Sequence, residues 1–461
     1  MCGICGEIGF QESRPDRGRV DAMLQRLLHR GPDGEWIRGD DRAIFGMARL
    51  TIRGLTSGQQ PLVDDETGVM VVCNGEIDNH EALRVFLAER GRPVTEDTDV
   101  AVLPGLYLEL GEAFLEQLVG AFAIAVWDPR TSSLLLARDR AGERPLFFSK
   151  AGNTVFFASQ LSSMVHGAHH PTTPNPEVLA RYLQLGYFPA PDSPLEKVFK
   201  VGPGESVRLS ETGTEHRRYW RLPERGMRLS KDDPLEIFDP IFRDAVRKQS
   251  EVDVPVGLFL SGGVDSSLIA AVARDLHPDK SITAYGLRFG EESFDEGGFA
   301  EQVAKDLRMD YIPVWVQPEA IPSVLAEVIQ TSGEPLADPA WIPTAMLSKR
   351  AAEDIRISLS GEGADELFGG YPTYFGAGLA ESYAKLPNWL RHLIRDRVEQ
   401  WPPSDKKVTL SFLMKRFVQG DELDGLSRHI LWNSSLAPTI LEPLGIHPRL
   451  SAWAPVAGES L

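Results

Sequence analysis

Two groups of residues in this chain have the types and spacing that chemistry requires. The first is at the amino terminus, MCGICGEIGF, where Cys2 and Cys5 stand three apart. They suit a redox or metal pair, or two small apolar residues opening a strand. Alternatively Cys2, freed as residue one by loss of Met1, suits a nucleophile whose base is its own α-amine. The second group is LFLSGGVDSS, residues 258–267. Gly262 and Gly263 let the backbone turn and expose its N–H groups. Ser261, Ser266 and Ser267 add hydroxyl donors, and a helix start adds a positive dipole end. An anion is the expected occupant. The spacing is neither the Gly-Lys-Ser/Thr phosphate loop nor the dinucleotide G-x-G-x-x-G. S-G-G alone reads as a capped turn; the full SGGVDSS after an apolar strand is more specific. A further loop, ISLSGEGADELFGGY (357–371), crowds Glu362, Asp365 and Glu366 between glycines. Either these acids complement a helix dipole, or Asp265 and Asp365 hold Mg²⁺ beside phosphates in one crevice.

Such groups need strands and helices to position them. Up to about residue 165 the chain is strand-rich: GVMVVCNGEI, GAFAIAVWD, SSLLLARD and NTVFFAS are short β-branched or aromatic runs between turn residues. RVDAMLQRLLHR and NHEALRVFLAERG read as helices. HHPTTPNP breaks the pattern, and 177–220 reads as a connector packed on the first domain. From about 236 the pattern changes. VPVGLFL is continuously apolar, as in a strand buried on both faces. Val264, Leu268, Val272 and Leu276 then recur at helical spacing. SITAYGL, FAEQVAKDLR, YIPVWVQ, AMLSKRAAED and IRISLS continue the alternation, which implies a parallel sheet with helices on both faces. Residues 376–461 read as mostly helical.

Composition sets the outer limits. A chain of 461 residues exceeds one ordinary core, so two domains are expected. A net charge of -18 argues against binding nucleic acid or an anionic membrane. No apolar run reaches the roughly 18–20 residues of a membrane helix, and no signal peptide is read. Cys2, Cys5 and Cys73, the three cysteines, are too few for a disulfide framework and fit a reducing cytoplasm.

In order along the chain, MCGI, HRGPDG (29–34), ARLTI (48–52), NGEI (74–77), DTD (97–99), ARDRAGERPLFF (137–148), SGGVDSS and SGEGADELFGGY resemble the glutamine-hydrolysing asparagine synthetase family. The resemblance implies an α+β amino-terminal-nucleophile amidotransferase domain with stacked antiparallel sheets between helices, over 1–220. An α/β parallel-sheet ATP pyrophosphatase domain follows, over 221–461. It implies loss of Met1 and attack by Cys2 on the glutamine amide, with Asn74 and the Gly75 N–H as oxyanion hole. Arg49 would take the glutamine carboxylate and Asp97 its ammonium, with Leu50, Ile52 and Glu76 as further contacts. In the second domain, Leu260, Leu287, Ser360 and Gly361 would line the adenosine site. Ser261, Gly262, Gly263, Asp265 and Ser266 would take the pyrophosphate, Asp265 and Asp365 would hold Mg²⁺, and Glu362 would lie near the acceptor. Substrates would be glutamine, ATP, and aspartate or another carboxylate, as in relatives of secondary-metabolite or polysaccharide pathways.

Five positions depart from the family pattern: Asp78 for Tyr, Arg144 for Lys, Gln160 for Glu, Arg288 for Gly and Gly333 for Asp. They direct doubt to the substrate side. Relatives also continue past residue 440 with a K-x-D-R-x-S-M-like motif, where this chain reads HPRLSAWAPVAGESL. The expectation is that these residues alone hydrolyse glutamine but form amide product poorly, the synthetase half then being inactive. An uncovered sheet face would then favour a homodimer or a complementing carboxy-terminal chain.

Overall fold

The structure, a computed structural model, describes residues 1–168, 172–223, 233–402, 409–436, 438–441 and 443. Twelve strands build its amino-terminal half: β1 (Gly3–Gly9), β2 (Gly34–Gly39), β3 (Ala43–Arg49), β4 (Leu62–Val63), β5 (Met70–Ile77), β6 (Gly120–Asp128), β7 (Ser133–Arg138), β8 (Phe147–Ala151), β9 (Thr154–Ala158), β10 (Val198–Lys200), β11 (Glu205–Ser210) and β12 (Thr214–Arg218). They form two antiparallel six-stranded sheets, in the orders β10-β8-β9-β1-β3-β2 and β12-β11-β7-β6-β5-β4. Ile4, Ile8, Phe45 and Met47 of one sheet meet Val72, Ala123, Trp127 and Leu136 of the other. Helices Arg17–Gln25 and Leu161–Gly167 cover the outer face of the first sheet. Helices His80–Ala88 and Leu103–Leu110 cover that of the second. The stacked-sheet expectation is met.

Strand parity settles one of the opening alternatives. Successive side chains of a strand point to opposite faces. Cys2 therefore joins the core between the sheets, and Cys5 the core under the outer helices. All three cysteines are free, and no cluster of three metal-ligating side chains occurs among the described residues. A Cys2–Cys5 pair does not form.

The connector expected over 177–220 is not one. β10 pairs with β8, and β11 with β7, so this stretch completes both sheets. The sequence signal is weak because ESVRLS and TEHRR are rich in polar residues, and β12 is exposed throughout.

In the carboxy-terminal half, β13 (Val256–Phe259), β14 (Thr283–Arg288), β15 (Asp310–Trp315) and β16 (Ile357–Leu359) form a parallel sheet ordered β15-β14-β13-β16. Helices Pro234–Ser250, Val264–Leu276 and Gly297–Asp306 pack on one face, and helix Trp341–Ala351 on the other. Among the described residues the expected bare sheet face is therefore not found. Exposed apolar side chains lie instead on Leu367, Phe368, Phe375 and Leu379, in the helices that follow. Residues 447–461, on which the tail expectation rests, lie outside the described residues. No described helix is long and apolar enough to cross a membrane.

The two halves meet along a hydrogen-bonded seam. Lys200 pairs with Glu334, and Ser162 Oγ donates to Thr331 O at 3.0 Å. Ala337 N donates to Gly186 O, and Ser435 N to Gln184 O, each at 2.7 Å. Gly333 ends helix Ile321–Ser332 at φ +72°, and a Cβ there would lie 2.5 Å from Ser162 N. Only glycine fits both the angle and the space, so the departure at 333 is a packing choice. Gly333→Asp should lower the melting temperature, by the roughly 1–3 kcal/mol that such backbone strain costs. An unchanged melt would contradict the packing.

Candidate active sites

The first candidate site lies at the head of β1. Register pairs Gly3 with Ala48, which brings Cys2 beside the chain leaving β3. The Cys2 thiol points to Leu50 O at 3.6 Å, while Leu50 N donates to Cys2 Sγ at 3.4 Å. Arg30 Nε donates to Cys2 O at 2.8 Å. Burial pushes the thiol up. Met1 is present, so the Cys2 nitrogen is a peptide and the amine is that of Met1, which burial lowers to about 6.

On β5, Asn74 is fully buried. Its Nδ2 reaches Ser159 Oγ at 3.5 Å, and its Oδ1 has no protein partner. Gly75 has φ +147°, and a Cβ would sit 2.0 Å from Ala121 O, so no other residue fits. After β3, Arg49 is buried and its guanidinium grips the following loop. It donates to Ser57 O, to Arg53 O at 2.9 Å and to Gly54 O at 3.0 Å. Three of its five N–H groups are thereby used, leaving two for a ligand. Leu50 and Ile52 lie on this loop, and Asp97 is exposed beside it, its carbonyl 2.3 Å from where a Gly54 Cβ would be.

A cluster of acids that the motifs do not reveal lies next to this loop. Asp99, not Asp97, is the buried member of DTD and accepts Ile77 N at 2.7 Å. Arg53 Nε lies 3.3 Å from Glu76 Oε2, a charge contact without hydrogen-bond alignment. Burial, then the nearby Asp99 charge, hold the Glu76 carboxyl well above its usual range. Burial raises Asp78 to about 6.

The second candidate site is a cleft of about 570 Å³ at the carboxyl ends of β13, β14 and β16. Of the residues singled out in the sequence, Leu260, Ser261, Gly263, Asp265, Ser266, Leu287, Ser360, Gly361, Glu362 and Asp365 line it. Gly262 does not. At φ +79° it turns the loop against Phe299 and Ala300, where a Cβ would lie 2.6 Å from either. Ser261 Oγ meets Ser266 Oγ at 3.0 Å and accepts Gly263 N at 3.2 Å, so the loop is held before any ligand arrives. Phe289, Phe294, Glu296 and Thr344 also line the cleft and carry no signal in the motifs. Tyr371, the last residue of SGEGADELFGGY, lines it too, though the motif does not single out its side chain. Tyr371 donates to Glu366 at 2.8 Å. Asp265, Glu296, Glu362, Asp365 and Glu366 bring carboxylates to the cleft, while no Lys, Arg or His is among its lining residues. A phosphate entering such a cleft needs a cation. Mg²⁺ bound through one or two carboxylates and the phosphates themselves suits this donor set.

The departures from the family pattern fall elsewhere. Gln160, with its amide nitrogen turned to donate, reaches His29 Nε2 at 3.2 Å and Thr331 O at 3.3 Å across the seam, while its oxygen accepts from Arg30. Arg144 lies against Met1 Sδ at 3.3 Å. Arg288 forks onto Asp295 and stacks on Trp315, its charge spent on closing the loop after β14. With Gly333 at the seam and Asp78 in the acid cluster, none of the five lines the cleft.

Stacked antiparallel sheets beside a parallel sheet with a glycine- and serine-rich loop make a two-part architecture. In keeping with this, residues 1–220 match the glutamine amidotransferase domain family and residues 238–431 the asparagine synthase family. Glutamine-hydrolysing asparagine synthetase 1 of Bacillus subtilis (strain 168) is 32% identical over 399 residues, covering 86% of this chain and 62% of that protein. Glutamine-hydrolysing asparagine synthetase 3 of the same organism is 30% identical over 412 residues, covering 85% and 66%. The chain belongs to the glutamine-hydrolysing asparagine synthetase family. It spans less than two-thirds of the length of these relatives.

The raised Asp78 carboxyl gives a pH test. A folded-state pKa above the unfolded one favours the fold while the group is protonated, and that contribution is lost as pH rises through about 6. Asp78→Asn should therefore gain stability on the unaltered chain, by on the order of 2–3 kcal/mol between pH 4 and pH 7.5. Urea unfolding at both pH values measures this. A difference that does not change with pH would contradict the burial.

Proposed function

We propose that the chain is a glutamine-dependent, ATP-driven amide synthetase, with residues 1–220 as glutaminase unit and 221–461 as synthetase unit. The observation that carries the reading is the thiol of Cys2, one residue from the start of the chain and held against Leu50. Once Met1 is removed, the Cys2 nitrogen becomes the chain's amine and takes the thiol proton as sulfur attacks the glutamine amide carbon. Asn74 Nδ2 and the Gly75 N–H stabilise the oxyanion. Collapse gives ammonia and a thioester, and water releases glutamate. The two unused Arg49 N–H groups suit the glutamine carboxylate and Asp97 suits its ammonium, with Leu50, Ile52 and Glu76 alongside.

In the cleft, the 261–266 loop binds the triphosphate end of ATP, and Leu260, Leu287, Ser360 and Gly361 border the nucleoside. Asp265 and Asp365 would hold Mg²⁺, which would offset phosphate charge in a cleft whose charged lining residues are carboxylates. An acceptor carboxylate attacks the α-phosphorus and expels diphosphate, and ammonia then displaces AMP from the acyl-adenylate. Glu362, which lines the cleft, would meet the acceptor. Aspartate is the acceptor proposed, because none of the five departures lines the cleft.

ATP–diphosphate exchange with a panel of carboxylates tests the acceptor. Exchange with aspartate above all others is expected; exchange with a different acid alone would replace it. Cys2→Ala should abolish ammonia release from glutamine, by more than about 10³-fold, while Cys5→Ala retains it. Equal loss in both would refute the nucleophile. Asp265→Asn should weaken Mg-ATP binding, by calorimetry, at least about tenfold with glutamine hydrolysis intact. Unchanged affinity would count against the assignment.

A further inference from the structure

We infer that the carboxy-terminal half completes the glutamine site, by latching the 49–58 loop to the residues that precede β13 and β16. This rests on the reading of that loop as the glutamine-binding loop. Beyond Arg49, the last residue of β3, the loop has no regular secondary structure and turns at Gly54 (φ +60°) and Gly58 (φ +82°). Arg49 holds it from inside. From outside it is held by residues about 200 or more positions away in the chain. Asp253 Oδ2 accepts Gly54 N at 2.9 Å, and Asp253 N donates to Ile52 O at 3.3 Å, so one residue clasps the turn in both directions. Arg53 Nη2 donates to Lys248 O at 2.6 Å, in the last turn of helix Pro234–Ser250. Carbonyls at a helix end lack intrahelical partners and attract a cation. At the base of the loop, Thr51 N donates to Asp33 Oδ2 at 2.8 Å, and Asp33 pairs with Arg356 at 3.2 Å.

The positions of these tethers have a common logic. Asp253 stands just before β13 and Arg356 just before β16, and Arg356 N donates to Pro255 O. β13 and β16 are hydrogen-bonded neighbours of four and three residues. Their carboxyl ends carry the SGGVDSS and SGEGADE loops of the cleft. The same pair of short strands thus holds the glutamine loop at its amino ends and the nucleotide cleft at its carboxyl ends. At about 3.3 Å per residue, the two lie little more than one strand length apart. Asp253 and Arg356 are positioning residues: they act on glutamine through the loop they hold.

The test uses the full chain and the variants Asp253→Ala, Asp253→Asn and Arg356→Met. Hydrogen exchange of a peptide spanning the loop reads the latch without reference to activity. The Gly54 amide should exchange about tenfold faster in Asp253→Ala and return toward the original rate in Asp253→Asn, which keeps an acceptor oxygen. Steady-state glutamine hydrolysis should show KM raised about tenfold in Asp253→Ala, with kcat within about twofold and again rescued in Asp253→Asn. Arg356→Met should move KM in the same direction. Unchanged exchange would overturn the latch. Faster exchange with unchanged KM would overturn its role in the glutamine site, as would kcat falling with KM fixed. Should the unaltered chain fail to hydrolyse glutamine, the proposed function fails, and exchange alone decides whether the loop is latched.

Discussion

A buried guanidinium must find partners for its N–H groups, and Arg49 meets that demand with the backbone of the loop that follows it. Charge taken out of water is costly unless paired or hydrogen-bonded. The carbonyls of Arg53, Gly54 and Ser57 are therefore drawn round Arg49. Much of the first site depends on this wrap. It fixes Leu50 beside Cys2, brings Gly54 against the Asp97 carbonyl, and turns Arg53 outward to Glu76 and the Lys248 carbonyl. The loop is thus an interface element as well as a site element. The acids around it, Glu76, Asp78 and Asp99, are pushed by burial toward their neutral forms.

The second site has the opposite electrostatic character. Its loop is set by hydroxyl bonds among Ser261, Gly263 and Ser266, and among the described residues its lining holds carboxylates and no Lys, Arg or His. An anionic ligand there must bring cations with it. Between the two sites runs a short, fully hydrogen-bonded strand pair. The chemistry of two distinct ligands is thus organised around the opposite ends of β13 and β16.

The sequence was informative where local pattern and function coincide. VPVGLFL followed by SGGVDSS reads as strand, turn and helix, and β13, Gly262 and helix Val264–Leu276 are found in that order. Cys2 and Cys5 could not be separated until strand parity put them on opposite faces. Polar composition hid β11 and the edge strand β12, the latter exposed along its whole length and so without a buried face to read. Asp99 was eclipsed by Asp97, since burial of one acid in D-T-D leaves no mark on composition. Arg53 and Asp253 were invisible for a plainer reason: their partners lie about 200 residues away, and no periodicity encodes such a pairing. The departures at Gln160, Arg288 and Gly333 read as changes of substrate, yet they serve the seam and a loop closure.

The central claim is that the chain's second residue, freed of Met1, is the group that attacks glutamine. It is tested most directly by intact-mass and peptide mapping after treatment with 6-diazo-5-oxo-L-norleucine, an electrophilic glutamine analogue. The expected product is a chain lacking Met1 that carries one adduct, on Cys2, with labelling slowed by added glutamine. An adduct on Cys5 or Cys73, or labelling of Cys2 that is indifferent to glutamine, would contradict it.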